Sequence, residues 1–179
     1  MTDPAVALVL RGAGAALFLS ASLHKLGDFA NFRVTLADYR LVPWWVSGAV
    51  ARGVAAAELV TGAALLSPLA RPFGFAAAAG LLALYTAAIA VNLLRGRRFI
   101  DCGCLGPAQR TPLGWGLVAR NATFGGLALA GLAPVAARPL LWVDLLSAAG
   151  GVAFLAILHQ SVSGLLANAP RLRALRGDA

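Results

Sequence analysis

Charge is scarce in this chain. Asp, Glu, Lys and Arg make up only 12% of 179 residues, while 60% are hydrophobic. A soluble domain is about one-quarter charged, so the shortage argues against an ordinary soluble fold. With a mean hydropathy of +0.79, it points to an integral membrane protein. Cysteine is scarcer still, with only Cys102 and Cys104. Membrane relay oxidoreductases often pass electrons between two internal pairs, so one pair leaves direct exchange with an external partner. A basic segment ahead of the first apolar run is also missing, and Arg11 lies inside that run. No cleavable signal peptide is expected, and the first run reads as a retained span.

What is present agrees with this. Five apolar stretches, at about 5–23, 45–66, 73–94, 113–132 and 141–166, are each long enough to cross a bilayer as a helix. A helix satisfies its own backbone polar groups in lipid. The expected fold is an all-α, polytopic helical bundle forming a single membrane domain, with termini on opposite sides. Trp44, Trp45, Trp115 and Trp142 sit near span ends, where tryptophan prefers the interface. Pro43, Pro68, Pro72, Pro112, Pro134 and Pro139 fall between spans, as helix breakers should. Glycines and alanines such as Gly12, Gly14, Gly53 and Gly125 allow helices to approach closely.

Between the first two spans, Leu26, Phe29, Phe32, Leu36 and Tyr39 recur at spacings of three and four. Lys25, Asp28, Asn31, Thr35 and Asp38 follow the same rhythm on another face. The pattern predicts an amphipathic helix over about 26–40, lying in the interface or capping the bundle. The net charge of +8 comes from fourteen Arg and one Lys against seven acids. In a soluble chain this would suggest nucleic acid; here the basic residues flank spans and no nucleic-acid partner is expected. Ten basic residues, including Lys25, Arg33, Arg95 and Arg110, lie in the first loop, the third loop or the tail, against Arg71 and Arg138 opposite. The bias places the cysteine loop, 95–112, on the cytoplasmic side.

Ionisable residues inside spans are expensive and tend to be paired or functional. Arg11, Glu58 and Asp144 count to the half away from the cysteines, which suggests an Arg11–Glu58 or Arg11–Asp144 pair. Arg52 and Arg120 count to the nearer half, where a cation would favour a thiolate, or would reach lipid headgroups instead. Asn121, beside Arg120, could bridge helices or orient a ligand. His24 ends the first span on the cysteine side and could move protons, and His159 lies in the fifth span.

The centre of the sequence is Asp101-Cys102-Gly103-Cys104-Leu105-Gly106. Two thiols one residue apart can approach if Gly103 lets the chain fold back. A disulfide in so small a ring should be strained and oxidising. Closing such a loop removes little unfolded-state entropy, so a redox role outranks a structural staple. A Cys-x-Cys pair can also hold a soft metal, and Cys102, Cys104, His24 and His159 form the alternative ligand set.

The segment VNLLRGRRFIDCGCLG, from Val91 to Gly106, resembles the signature of the MauE family of methylamine-utilisation membrane proteins, within the wider MauE/DoxX group of redox-associated membrane proteins. His24-Lys25-Leu26 followed by Phe32, Tyr39 and Pro43 resembles that family's first loop. Glu58 matches an intramembrane acid of its second span, and Arg120-Asn121 a fourth-span motif. Leu105 stands where the family more often has Phe. The resemblance implies an inner-membrane bundle supporting thiol–disulfide chemistry, often beside a thioredoxin-like partner. In methylamine utilisation that chemistry helps disulfide formation in a secreted dehydrogenase subunit, which calls for thiols on the extracytoplasmic side, against the charge bias.

The expected function is therefore thiol–disulfide exchange by Cys102 and Cys104 with an external partner, as an oxidoreductase or a redox accessory. Gly103, Arg120, Asn121, Arg52, His24, Lys25 and Glu58 are the supporting residues. The alternatives are a metal-binding protein or transporter, and a non-catalytic assembly scaffold. A quinone is the cofactor considered, with Tyr39, Tyr85 and the phenylalanines as its lining.

Overall fold

The computed structural model describes residues 1–103 and 111–176, with side chains as far as Ala169. Six helices follow in order: α1 Pro4–Gly27, α2 Phe29–Asp38, α3 Ser47–Leu66, α4 Arg71–Leu94, α5 Trp115–Ala130 and α6 Trp142–Arg176. Local chemistry sets their ends. The Asp3 carboxylate accepts from the Ala5 amide, and Pro4 occupies the first turn of α1, where its missing N–H costs nothing. Asp28 closes α1 by donating its amide to the His24 carbonyl, and its carboxylate then caps α2 at the Asn31 amide. A 3-10 turn at Trp44–Val46 leads into α3, and the Ser47 hydroxyl donates back to the Trp44 carbonyl at 2.7 Å.

Four helical segments, Pro4–Gly27, Trp44–Leu66, Arg71–Leu94 and Trp142–Ala169, are long and apolar enough to cross a membrane. The chain is a multi-pass helical membrane bundle. The stretch predicted as a fourth span forms α5, with 16 residues. At 1.5 Å per residue that is about 24 Å, short of a bilayer core of about 30 Å. Gly114 and Gly131 flank it, so the helix covers less than the apolar run around it. The final helix extends to Arg176, past the end expected at Leu166.

Helices α1 and α3 pack along each other, α4 packs against α3 and α5, and α6 lies on α1. One apolar cluster joins Ala15, Phe18, Leu65, Phe75, Ala78, Leu82 and Ala128. Small residues allow the close approaches: a side chain on Gly74 would meet the Leu65 backbone nitrogen at 2.9 Å. Large apolar residues elsewhere point outward, including Leu69, Phe73, Leu84, Phe154 and Ile157. In water such a surface would aggregate, whereas in lipid it is the solvated face.

At the end remote from the cysteines, the chain is tied by polar contacts. The Thr2 amide donates to the Pro134 carbonyl and the Ala136 amide to the Thr2 carbonyl, both at 2.9 Å. Arg138 bridges Asp3 at 2.8 Å and Asp144 at 2.7 Å. The Arg138 hydrogen bonds hold the Asp3 carboxyl below the usual carboxylate range, helped by the Ala5 amide, and the two carboxylates hold the Arg138 guanidinium above its ordinary value.

Neither pair expected for Arg11 forms. Arg11 Nε and Nη2 donate to the carbonyls of Leu65 and Leu66 at 2.9 and 2.7 Å, two oxygens left without helical partners at the C-terminus of α3. Asp144 is taken by Arg138 and Glu58 by Lys25. The amphipathic helix also differs from expectation, because the break at Asp28 separates α1 from α2 and turns their faces relative to each other. Lys25 and Thr35, assigned to the polar face, are buried, while Leu26 is exposed.

Candidate functional site

The described part of the cysteine loop is held by a short clasp, a single antiparallel bridge between Asp101 and Pro112. The Cys102 amide donates to the Thr111 carbonyl at 2.9 Å, and the Leu113 amide donates to the Ile100 carbonyl at 3.1 Å. The Asp101 carboxylate accepts from the Gly103 amide at 3.3 Å and the Thr111 amide at 3.0 Å, so one side chain fixes both arms. Gly103 turns the chain with φ +70°, a conformation that disfavours a Cβ. The turn lies beneath α2, where a Cβ on Gly103 would meet Thr35 Cγ2 at 3.1 Å. Cys104 lies outside the described residues.

Cys102 is buried in a second apolar cluster with Tyr39, Ile89, Leu93, Leu113 and Leu117. The Tyr39 hydroxyl donates to the Cys102 carbonyl at 3.4 Å. A cavity of about 80 Å³ opens beside Cys102, and Lys25, Phe32, Thr35, Tyr39 and Tyr85 are among its lining.

Behind that cavity stands a buried ionic cluster. Lys25 Nζ donates to Glu58 Oε1 at 2.7 Å and Oε2 at 2.9 Å, with the side chains 5% and 1% exposed. The Tyr85 hydroxyl donates to the same Oε1 at 2.7 Å. The ammonium also lies 5.3 Å from the Phe32 ring centre and 5.7 Å from that of Tyr85, within cation–π reach. Three helices, α1, α3 and α4, thus converge on one carboxylate. Lys25 and Glu58 were legible in the sequence as separate residues, but their pairing was not; Tyr85 was read only as possible pocket lining, and no sequence signal marked it as the third member.

The remaining predicted residues fall in two places. Arg52 is exposed on α3, with its guanidinium 6.0 Å from the Phe29 ring centre, and does not line the Cys102 cavity. Its position in the first turns of α3 points it toward α2 and the surface. Arg120 and Asn121 line a separate polar cavity of about 60 Å³, together with His24, Lys25, Glu58, Tyr85 and His159. Arg120 donates to the Ser163 hydroxyl at 2.9 Å and to the Asn121 amide oxygen at 3.4 Å. The His159 ring lies 5.4 Å from that of Phe124. The Lys25–Glu58–Tyr85 cluster therefore stands between the Cys102 cavity and this one, lining both through Lys25 and Tyr85. His24 also faces a narrow gap beside Asp101 and Gly103. Among the described residues, no group of three His, Cys, Asp or Glu is placed to hold a metal ion.

The family model described as methylamine utilisation protein MauE matches residues 3–134. The chain belongs to the MauE family. The methylamine utilization protein MauE of Paracoccus versutus is 42% identical over 182 residues, covering 99% of this chain and 97% of that protein. MauE of Paracoccus denitrificans is 40% identical over 131 residues, 73% of this chain and 70% of its own. MauE of Methylorubrum extorquens is 34% identical over 130 residues, 73% of this chain and 68% of its own. No solved structure matches the chain. The family match runs from the cap of α1 through α5, and so includes the clasp, the ionic cluster and the Arg120-Asn121 pair.

Proposed function

We propose that this MauE protein is a membrane accessory of methylamine utilisation that exchanges thiols and disulfides through Cys102 and Cys104. The observation that carries the reading is the turn at Gly103. Its left-handed backbone directly follows Cys102, and the Asp101 carboxylate holds the amides of Gly103 and Thr111. A tight turn at the intervening residue supports the approach of two thiols one residue apart.

The chemistry is a two-electron exchange. One cysteine thiolate attacks a sulfur of a partner's disulfide, forming a mixed disulfide and releasing one partner thiolate. The second cysteine then attacks the mixed disulfide and releases the other. The pair ends as a disulfide, the partner as a dithiol, and two protons move with the electrons. Running in reverse, the same steps oxidise a client. A thioredoxin-like protein is the partner class, since the chain holds one cysteine pair and no internal relay. Cys102 is buried, so access depends on the loop itself and on α2 above it.

The charge bias supports a cytoplasmic loop. Taking the buried Lys25 out of the ten basic residues leaves nine, still against two, and the positive side of a short-loop membrane protein is the inner one. Alkylation of intact cells with a membrane-impermeant maleimide, followed by mass spectrometry of the protein with and without reductant, tests both points. The expected result is two alkylation sites after reduction, none after oxidation, and no labelling in intact cells. Alkylation of both thiols under every redox condition would overturn the redox reading, and labelling of intact cells would overturn the orientation.

A further inference from the structure

An apolar cavity of about 280 Å³ lies between α1, α4, α5 and α6, with Phe18, Phe75, Leu82 and Ala128 in its walls and His159 and Gln160 at one end. That end is shared with the polar cavity of Arg120 and Asn121, since Phe18, Leu82, Phe124 and His159 line both. Three polar atoms there have no hydrogen-bond partner among the described residues: Arg120 Nε, Asn121 Nδ2 and His159 Nδ1. Asn121 is only 3% exposed. Buried donors left unpaired are costly and call for a ligand or an ordered water. The two cavities thus join a long apolar body to a head lined with unused donors.

We propose that this cavity binds a prenylated quinone, its ring carbonyls accepting from Asn121 Nδ2 and Arg120 Nε and its tail lying along Phe18 and Phe75. A quinone carbonyl is a neutral acceptor, and its ring and tail are apolar, which is the complement of both halves. Depth decides between a quinone and an ordinary lipid. His159 lies well inside the span Trp142–Ala169, and Phe18 is in the interior of α1. A phospholipid or fatty acid would have to carry its ionised head to that depth, where Lys25 is already paired with Glu58 and Arg120 alone would offset part of the desolvation cost. A neutral quinone already resides among the acyl chains.

Entry is available from the side. Helix α6 packs on α1 and makes little backbone contact with α5. The two are joined instead by long side chains, Arg120 to Ser163 and Phe124 to His159. The proposal concerns binding alone and stands apart from the thiol chemistry, so a Cys102→Ser variant should bind equally well.

The test uses the full-length protein in lipid nanodiscs, a photoreactive azidoquinone with a decyl tail as probe, and decylubiquinone as competitor. Wild type should be labelled saturably on α5 and α6, with the label displaced by decylubiquinone. Asn121→Leu, which keeps the volume but removes the donor, should weaken displacement at least tenfold, and Ala128→Phe should abolish labelling by filling the cavity. If Ala128→Phe does not yield a monodisperse helical protein, Asn121→Leu decides alone. Unsaturable labelling, labelling unchanged by Asn121→Leu, or equal displacement by dioleoylphosphatidylglycerol would overturn the proposal.

Discussion

Lys25 owes its burial to a single extra turn. Had α1 ended at Leu23, as hydropathy places it, Lys25 would have entered the loop as one more surface cation. The helix runs to Gly27, and this carries the ammonium over α3 to Glu58, the only glutamate in the chain. Both residues were visible in the sequence as candidates, yet counting from span ends placed Glu58 in the far half. A helix count ignores the reach of a four-carbon side chain. Breaking a buried pair strands the surviving charge and costs about 3–5 kcal/mol, whereas replacing both partners by apolar groups is often neutral. Lys25→Met and Glu58→Leu should therefore each lower stability in detergent substantially, and the double variant Lys25→Met with Glu58→Leu should recover most of the loss. Melting curves of the three variants check this, and an additive double variant would show that the two residues are not coupled.

At the level of helices, the spans were readable because length and apolarity are strong signals, and so were the breaks at Pro43, Pro68 and Pro134. The α1–α2 boundary was not, because the residue that breaks the helix, Asp28, looks like a member of a polar stripe until its two capping bonds are seen. The same holds for α5, whose apolar run exceeds its helix because Gly114 and Gly131 flank it. Glycines differ in weight. Gly74 brings α4 against the α3 backbone, whereas a side chain on Gly80 meets nothing within 4 Å. Gly74→Ala must push backbone aside and should destabilise by about 1–3 kcal/mol. Gly80→Ala should be neutral or stabilising by up to about 1 kcal/mol. Thermal unfolding followed by helical circular dichroism separates the two.

The whole molecule has two differently built ends. The cysteine end is closed by a clasp, a short helix and a buried ion pair; the other by exposed charges, with Arg138 joining Asp3 to Asp144 across 135 and 6 residues of chain. Sequence counting found the imbalance of charge between the ends but not this tie, because Asp144 falls within an apolar stretch and Asp3 lies far away along the chain. Asp3 titrates below its ordinary value of 3.8. Its stabilising contribution is therefore complete above that value and is lost as pH falls through the lower folded value. The gap in melting temperature between wild type and Asp3→Asn should persist from about pH 7 down to about pH 5 and narrow as pH falls below 3.8. A gap independent of pH would mean that the Asp3 charge is not what holds the N-terminus.

The ion pair at the cysteine end has an electrical consequence. A membrane potential does work on net charge, about 2.3 kcal/mol for each elementary charge carried through 100 mV. Lys25 and Glu58, 2.7 Å apart, present the field with a short dipole and no net charge. Energising the membrane therefore does little work on the wall beside Cys102, and any voltage dependence of the exchange would come from the thiolates and protons that it moves.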